Sequence, residues 1–356
     1  MENKIESSQS KCANCGGNLY YSPKSHDLFC KNCETHAQIV CDGEIQYHDL
    51  NKKPEFSKEY KQYVEQNKIF KCPNCGANVV LNKFEISQVC PYCATSLVAN
   101  NKNSYGLKPD AIIPFEFDEG EASERFAKAV KKKFFAPRKF KKQIPQNQIT
   151  GLYIPSFGFN TSTTSSYDGR LYNETTTRDS DGHTHTERHY FHISGNYKSD
   201  YKDVMVECSS HITQNELKGF LPFKFKEKKP FNNAFILGYS VEQYDKEIND
   251  CLSIYHSELD DLIKRDILRK YSYDGVSYLN VKTERTNETY QYHILPVYKF
   301  EYDYKYKKYI TYMNGQTGRV DDNVPKSKLK IAMVIFFAIL LVLLPILIGI
   351  LSAING

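Results

Sequence analysis

A chain of 356 residues is long enough for two or three compact units. It is 40% hydrophobic and 25% charged, the balance of a folded protein, which excludes a wholly disordered chain. The formal charge of +5 is too mild to identify a partner by itself.

There are 27 Tyr and 21 Phe but no Trp. That aromatic load, with many Thr and Val, leans toward sheet. Residues 1–11 are polar and are expected to be disordered. They lack the apolar core of a secretory signal.

Two copies of one pattern follow. Residues 12–33 read CANCGGNLYYSPKSHDLFCKNC, and residues 72–93 read CPNCGANVVLNKFEISQVCPYC. Each is Cys-x2-Cys, fourteen residues, then Cys-x2-Cys. Zinc takes four thiolates in a tetrahedron, and each Cys-x2-Cys turn offers two sulfurs to one metal. The predicted ligands are Cys12, Cys15, Cys30 and Cys33, then Cys72, Cys75, Cys90 and Cys93. Two zinc ions, one per ribbon, are the expected cofactors. Disulfides, free thiols and a rubredoxin-like iron site are the other readings of this spacing.

Gly16 and Gly76 follow the second Cys of each opening turn, where a tight turn needs φ > 0. The segments 19–29 and 79–89 suit small hairpins. A 22-residue unit cannot bury a sufficient core, so the metal must supply much of its folding energy. A site closed by four thiolates leaves no position for a substrate and is structural. Cys41, Cys208 and Cys251 remain outside the pattern and read as reduced.

Ribbon one is assigned to 12–41, a connector to 42–69 and ribbon two to 70–98. The connector's second half suggests a short helix carrying Phe56, Tyr60, Tyr63 and Val64. A main domain over 107–320 shows a second repeat. A Pro-led aromatic strand is predicted at 112–117 (IIPFEF), 153–159 (YIPSFGF), 220–225 (FLPFKF) and 294–300 (ILPVYKF). A helix is predicted to start at Asp118, capped with the help of Glu121, and to place Ala122, Phe126, Ala129, Val130 and Phe134 on one face. A second is predicted from Ser240 with Gln243, its face running from Val241 and Tyr244 through Ile248, Leu252, Tyr255 and Leu259 to Leu262 and Ile263.

The order strand, helix, strand, meander therefore occurs twice, over about 112–210 and 220–320, and implies a duplicated, mostly antiparallel α+β module. Asn314-Gly315 marks the last hairpin turn. Residues 331–351 read IAMVIFFAILLVLLPILIGIL, without a charge. At ~1.5 Å per residue they span roughly 32 Å, enough for a hydrocarbon core of about 30 Å. A transmembrane helix is assigned to 331–352. Lys326, Lys328 and Lys330 just before it place the bulk of the chain on the cytoplasmic side of a cell membrane, as a single-pass protein.

The two ribbons, LKPDAIIPF at 107–115, the basic helix, ITGLYIPSFGF at 149–159 and YMNGQTGRV at 312–320 together resemble a bacterial family of membrane-anchored proteins with two N-terminal zinc ribbons. Its members carry the description of a transcription-factor-IIB-type zinc ribbon, and sometimes of a primosomal replication-restart helicase. The resemblance implies architecture more than activity. Ala13 stands where the family pattern has Pro, which leaves the ligands intact. A helicase is disfavoured, because the chain has no G-x4-GK[ST] phosphate loop.

Two further clusters carry chemistry. Residues 128–142 contain Lys131, Lys132, Lys133, Arg138, Lys139, Lys141 and Lys142 with Phe134, Phe135 and Phe140 interleaved. That mixture suits phosphate and base stacking, an anionic lipid surface, or the solvated face of an amphipathic helix. His183, His185, Glu187 and His189 alternate, so a strand would put them on one face as a metal site; the Asp181-Gly182 turn signal favours a solvated hairpin tip.

No H-E-x-x-H, G-x-S-x-G or G-x-G-x-x-G is present. The expected function is a non-enzymatic binding or scaffold protein, with a membrane, a protein partner and, as an alternative, nucleic acid as its contacts. A metal-dependent enzyme is the second alternative.

Overall fold

A computed structural model of the chain describes residues 11–41, 43–52, 68–72, 78–81, 85–90, 96–98, 109–142, 149–179, 181–209, 211–242, 244 and 246–354. The first cysteine segment folds into three short strands, β1 (Leu19–Ser22), β2 (Asp27–Cys30) and β3 (His36–Ala37), paired in that order. β1 and β2 form the expected hairpin, with Leu19 opposite Cys30. β4 (His48–Asp49) follows. Next come β5 (Lys68–Lys71), β6 (Asn78–Leu81), β7 (Glu85–Val89) and β8 (Ser96–Val98). Among the described residues β6 pairs with β5, while β7 pairs with β8 and joins the main sheet through Ser87 opposite Val241. The expected hairpin within 79–89 is therefore replaced by two separate pairings. The helix predicted around Phe56 and Tyr60 lies outside the described residues.

The main domain runs β9 (Ala111–Ile112), α1 (Glu119–Lys132), α2 (Arg138–Lys142), β10 (Ile149–Arg178), β11 (Thr184–Glu207), α3 (Gln214–Phe220), β12 (Lys229–Pro230), β13 (Ser240–Glu242), α4 (Ile248–Leu268), β14 (Gly275–Tyr304) and β15 (Lys307–Asn314). It is α+β and mostly sheet. β10 and β14, 30 residues each, run antiparallel from Ile149 opposite Phe300 to Tyr172 opposite Gly275. At ~3.3 Å per residue each is roughly 100 Å long.

Their outer neighbours are matched. β9 pairs in parallel with β14 and β13 in parallel with β10; β11 lies antiparallel to β10 and β15 to β14.

YIPSFGF and ILPVYKF lie inside these two central strands, where proline normally breaks a ladder. Pro155 stands opposite Ile294, and Pro296 opposite Tyr153. The Ile294 carbonyl accepts from Ile113 N–H, and the Pro296 carbonyl accepts from Gly315 N–H. These positions thus face away from the β10–β14 ladder. On that outer side each proline falls where one neighbour ends and the next begins: β13 hands over to β11 beside Pro155, and β9 to β15 beside Pro296. The missing N–H removes no ladder bond.

Alternation along β10 and β14 sorts side chains onto two faces. On one, α1 lays Ala122, Phe126 and Val130 over Phe300 and Tyr302, with Phe126 stacked on Phe300 at 4.0 Å between ring centres. Further along the same face, α4 lays Ile248, Cys251, Tyr255, Leu259, Ile263 and Ile267 over Phe157, Phe159 and Tyr290. On the other face α3 packs Leu217 and Phe220 against Leu152, Ile154, Leu295 and Val297. Each fully buried Val, Leu, Ile or Phe among them contributes about 1.5–3 kcal/mol. Beyond Tyr172 the β10–β11 hairpin is exposed on both faces.

Asp118 caps α1 as expected, its carboxylate accepting from Glu121 N–H at 2.9 Å, but the Glu121 carboxylate accepts from Arg125 rather than completing a capping box. Other boundaries differ. α1 ends at Lys132, so Phe134 lies beyond it and is exposed. Ser240–Glu242 is a strand rather than a helix start, because it pairs with β10; the second helix begins at Ile248 after Glu247. FLPFKF is not a strand. A Thr213–Glu216 capping box starts α3, which ends at Phe220 before the cis Leu221–Pro222 bond. The β14–β15 hairpin turns at Lys305 and Tyr306, both at positive φ, while Asn314-Gly315 opens a later loop closed by Asn314 N–H to the Arg319 carbonyl.

α5 (Lys328–Ile354) is the apolar C-terminal helix. Its 27 residues span roughly 40 Å at 1.5 Å each. The window Lys328–Pro345 has mean hydropathy 2.4, and none of it is buried against the rest of the chain, so it is a candidate membrane span.

Candidate metal centre

Cys12 and Cys15 sit in one tight turn, Cys30 and Cys33 in another. In the first, Gly16 N–H donates to the Cys12 carbonyl and Cys12 N–H to the Gly17 carbonyl, both at 2.8 Å. Gly16 has φ 71°, the conformation its position called for. In the second, Glu34 N–H donates to the Cys30 carbonyl at 2.9 Å and Cys30 N–H to the Thr35 carbonyl at 3.0 Å. Glu34 takes the left-handed place of Gly16, with φ 58°. The β1–β2 register brings the two turns together.

All four sulfurs lie within 4.8 Å of one another, with Cys12–Cys33 and Cys15–Cys30 at 3.5 Å. A disulfide would need about 2.05 Å. A tetrahedron with Zn–S near 2.3 Å has edges of roughly 3.8 Å. Two edges of the cage, at 3.5 Å, come within a few tenths of an ångström of that value, and the other four lie within 4.8 Å, so the group could hold zinc. Among the described residues it is the one group with such geometry.

The thiols influence one another strongly. The Thr35 hydroxyl and N–H hold Cys33 down to about 6. Gly17 N–H pulls Cys15 down, but Cys33, Cys30 and burial outweigh it and push that thiol up to about 12. Four crowded sulfurs cannot all ionise unless a cation sits among them; a divalent metal supplies that charge.

The ribbon is built into the main domain. Cys12, Leu19, Tyr21, Leu28 and Cys30 belong to the same buried cluster as Phe115, Phe126 and Tyr298. Tyr21 N–H donates to the Leu237 carbonyl at 2.9 Å, and its hydroxyl donates to the Phe115 carbonyl at 3.2 Å. Tyr20 presses on Gly238, whose φ is 94°; a Cβ there would meet the Tyr20 ring at 3.0 Å.

Of the second set, Cys72 and Cys90 are buried and cluster with Leu97. Cys75, Cys93 and Gly76 lie outside the described residues.

The basic run sits on the α1–α2 corner. Lys131, Lys132, Arg138, Lys139 and Lys142 are exposed, Lys133 reaches Asp322, and Lys141 donates to the Lys131 carbonyl. Phe140 is buried, while Phe134 and Phe135 are exposed.

His183, His185, Glu187 and His189 lie at the exposed β10–β11 tip. His185 Nε2 is 3.1 Å from Asp179 Oδ2, and His189 Nε2 is 3.9 Å from Glu187 Oε2. The strand spaces these side chains out, and their donor atoms do not gather as the four cysteines do.

Neither a family model nor a solved structure matches the chain. A relative is found in Bacillus subtilis (strain 168). It bears the name uncharacterized protein YdjG and is 25% identical over 327 residues, covering 90% of this chain and 91% of its own. The likeness thus runs along nearly the full length of both.

Three residues at the centre escaped sequence reasoning. Glu34 carries no glycine-like signal, Thr35 reads as an ordinary polar residue, and Tyr21 is one tyrosine among 27. Their roles come from the second turn's geometry and from contacts with residues more than 90 positions away.

Proposed function

We propose that this chain is a non-enzymatic zinc protein anchored in a cell membrane, with its folded part in the cytoplasm as a binding scaffold for a protein partner. One observation carries the reading: a four-thiol cage is built into the core of a domain that ends in an exposed apolar helix. A cage of four thiolates offers no open position for a substrate. Reduced thiols suit the cytoplasm, and Lys326, Lys328 and Lys330 before the span favour the same side.

A second zinc is held by Cys72, Cys75, Cys90 and Cys93, in keeping with their identical spacing and the burial of Cys72 and Cys90. The domain is read as a duplicated unit, supported by the similar orders β9–α1–α2–β10–β11 and β13–α4–β14–β15, the first with the extra short helix α2, and by their reciprocal parallel pairings. The two-ribbon bacterial resemblance agrees with this architecture.

The test is elemental analysis with thiol titration of the full-length protein in detergent. Two zinc ions per chain and eight protected thiols are expected, falling by one metal in Cys30→Ser and one in Cys90→Ser. One metal, with Cys90 reactive, overturns the second ribbon; none overturns the reading. A third metal, lost when His183, His185 and His189 become Ala, restores the enzyme alternative.

A further inference from the structure

The corner between α1 and α2, residues 133–137, is fastened to the start of α5. The Phe135 carbonyl accepts from Ser327 N–H at 2.8 Å. The Phe134 and Ala136 carbonyls accept from Lys330 Nζ at 2.7 and 3.0 Å. Lys133 Nζ donates to the Asp321 carbonyl at 2.6 Å and to Asp322 Oδ1. A segment nearly 200 residues upstream in sequence thus forms a collar at the first turn of the apolar helix.

That collar is both oily and basic. Phe134 is 63% and Phe135 38% exposed, their rings edge to face at 5.3 Å. Lys131, Lys132, Lys139 and Lys142 lie exposed around them. Two adjacent aromatic rings are thus held out into water beside a dense positive charge, with Lys330 Nζ over the Phe134 ring at 5.3 Å from its centre.

We propose that this collar is a membrane-contact surface: Phe134 and Phe135 lie in the headgroup layer of an anionic leaflet, and the lysines face its phosphates. The proposal rests on the reading of α5 as a span. Two arguments fix the occupant. Continuity is the first: the collar's carbonyls are held by Ser327 and Lys330, so it lies at the depth where α5 enters the bilayer. Charge complementarity is the second, since basic residues beside inserted aromatics match an anionic interface. A free polynucleotide would have to enter the wedge between domain and bilayer to reach the same rings. The consequence is orientation: span and collar together hold the ribbon-bearing domain in one pose above the leaflet.

The chain has no Trp, so one introduced Trp reports alone. Phe134→Trp and, separately, Phe336→Trp in the full-length protein are reconstituted into vesicles carrying lipids brominated near the headgroup or deep in the acyl chain. Phe336→Trp should be quenched by the deep bromines. Phe134→Trp should be quenched by the shallow bromines in vesicles rich in phosphatidylglycerol, and less in pure phosphatidylcholine. Each of Lys131, Lys132, Lys139 and Lys142 changed to Gln should lower the docked-to-undocked ratio about fivefold, from ~1 kcal/mol per charge.

If Phe336→Trp is unquenched, the anchor reading falls and the collar with it. If Phe336→Trp is quenched and Phe134→Trp is not, the anchor stands and the collar proposal is overturned. A Phe134→Trp signal that answers to single-stranded DNA and not to lipid also overturns it, in favour of nucleic acid.

Discussion

Replacing Cys30 with Ser removes one wall of the cage and tests whether metal and domain are coupled. Cys30 is fully buried, with its sulfur 3.5 Å from that of Cys15. A structural zinc site supplies apparent folding energy of about 10–16 kcal/mol in small finger peptides, and three thiolates cannot close the tetrahedron. Without that constraint β1 and β2 lose their hold on the domain. Undocking returns Leu19, Tyr21 and Leu28, each now no more than 5% exposed, to water. At roughly 2 kcal/mol apiece this costs about 6 kcal/mol. A whole domain has only about 5–15 kcal/mol of stability, so the loss reaches the domain and not the ribbon alone.

The assay is amide hydrogen exchange on the full-length protein in nanodiscs, with metal counted in parallel. One metal per chain should disappear. Exchange at the Tyr21 amide, now bonded to the Leu237 carbonyl, should accelerate by up to about 10⁴-fold, since 1.4 kcal/mol is a factor of ten. Loss of the metal with unchanged protection over 19–30 would refute the reasoning, because the hairpin would then hold its place without zinc.

Other changes probe the domain beneath. Phe126→Ala removes the ring stacked on Phe300 and should cost about 3–5 kcal/mol, read as a lowered denaturation midpoint. Asp118→Ala removes the α1 cap and its ion pair with Lys24 and should cost about 1 kcal/mol, with faster exchange confined to the helix's first turn. Acid should weaken the fold through His293, which burial and the nearby Lys228 ammonium hold down to about 3. The unfolded chain takes up this proton as pH falls below the ordinary 6.5 while the folded one does not, so stability is lost across that window, about 2 kcal/mol by a pH of about 5.

Asp203 and Lys228 face the imidazole, with Asp203 Oδ1 3.8 Å from Nε2 and paired to Lys228. Asp321 is raised to about 6 by burial; protonating it as pH falls through that value stabilises the fold and opposes the histidine. The measurement is therefore wild type against His293→Gln at neutral and acid pH. An unchanged difference between the two would exclude His293 as the source.

Much of the local design was legible. Cys-x2-Cys spacing marked the first cage because ligand geometry is set within a few residues. Asp118 marked a helix start, Asp181-Gly182 a hairpin tip, and 331–351 a long apolar helix that is a candidate span, each from short-range chemistry. Misreadings came where a local signal met a distant partner. Ser240 with Gln243 imitates a capping box, yet β10 claims Ser240 and Val241 for a strand. FLPFKF has an alternating look, yet the Thr213 box makes its start the end of a helix. Lys305-Tyr306 carries no turn signature; the pairing of β14 with β15 forces both residues to positive φ.

By itself, then, the amino-acid order determined the ligands of the first cage, the amphipathic faces and the apolar tail, because these depend on residue type at fixed short spacing. Only the tertiary structure decided that the ribbon docks into the core through Tyr21, that Pro155 and Pro296 are harmless at the hand-over of outer strands, and that Phe134 meets Lys330. Those outcomes depend on which distant surfaces can bury one another and on which buried polar groups find partners, and no local window contains both sides of such a contact.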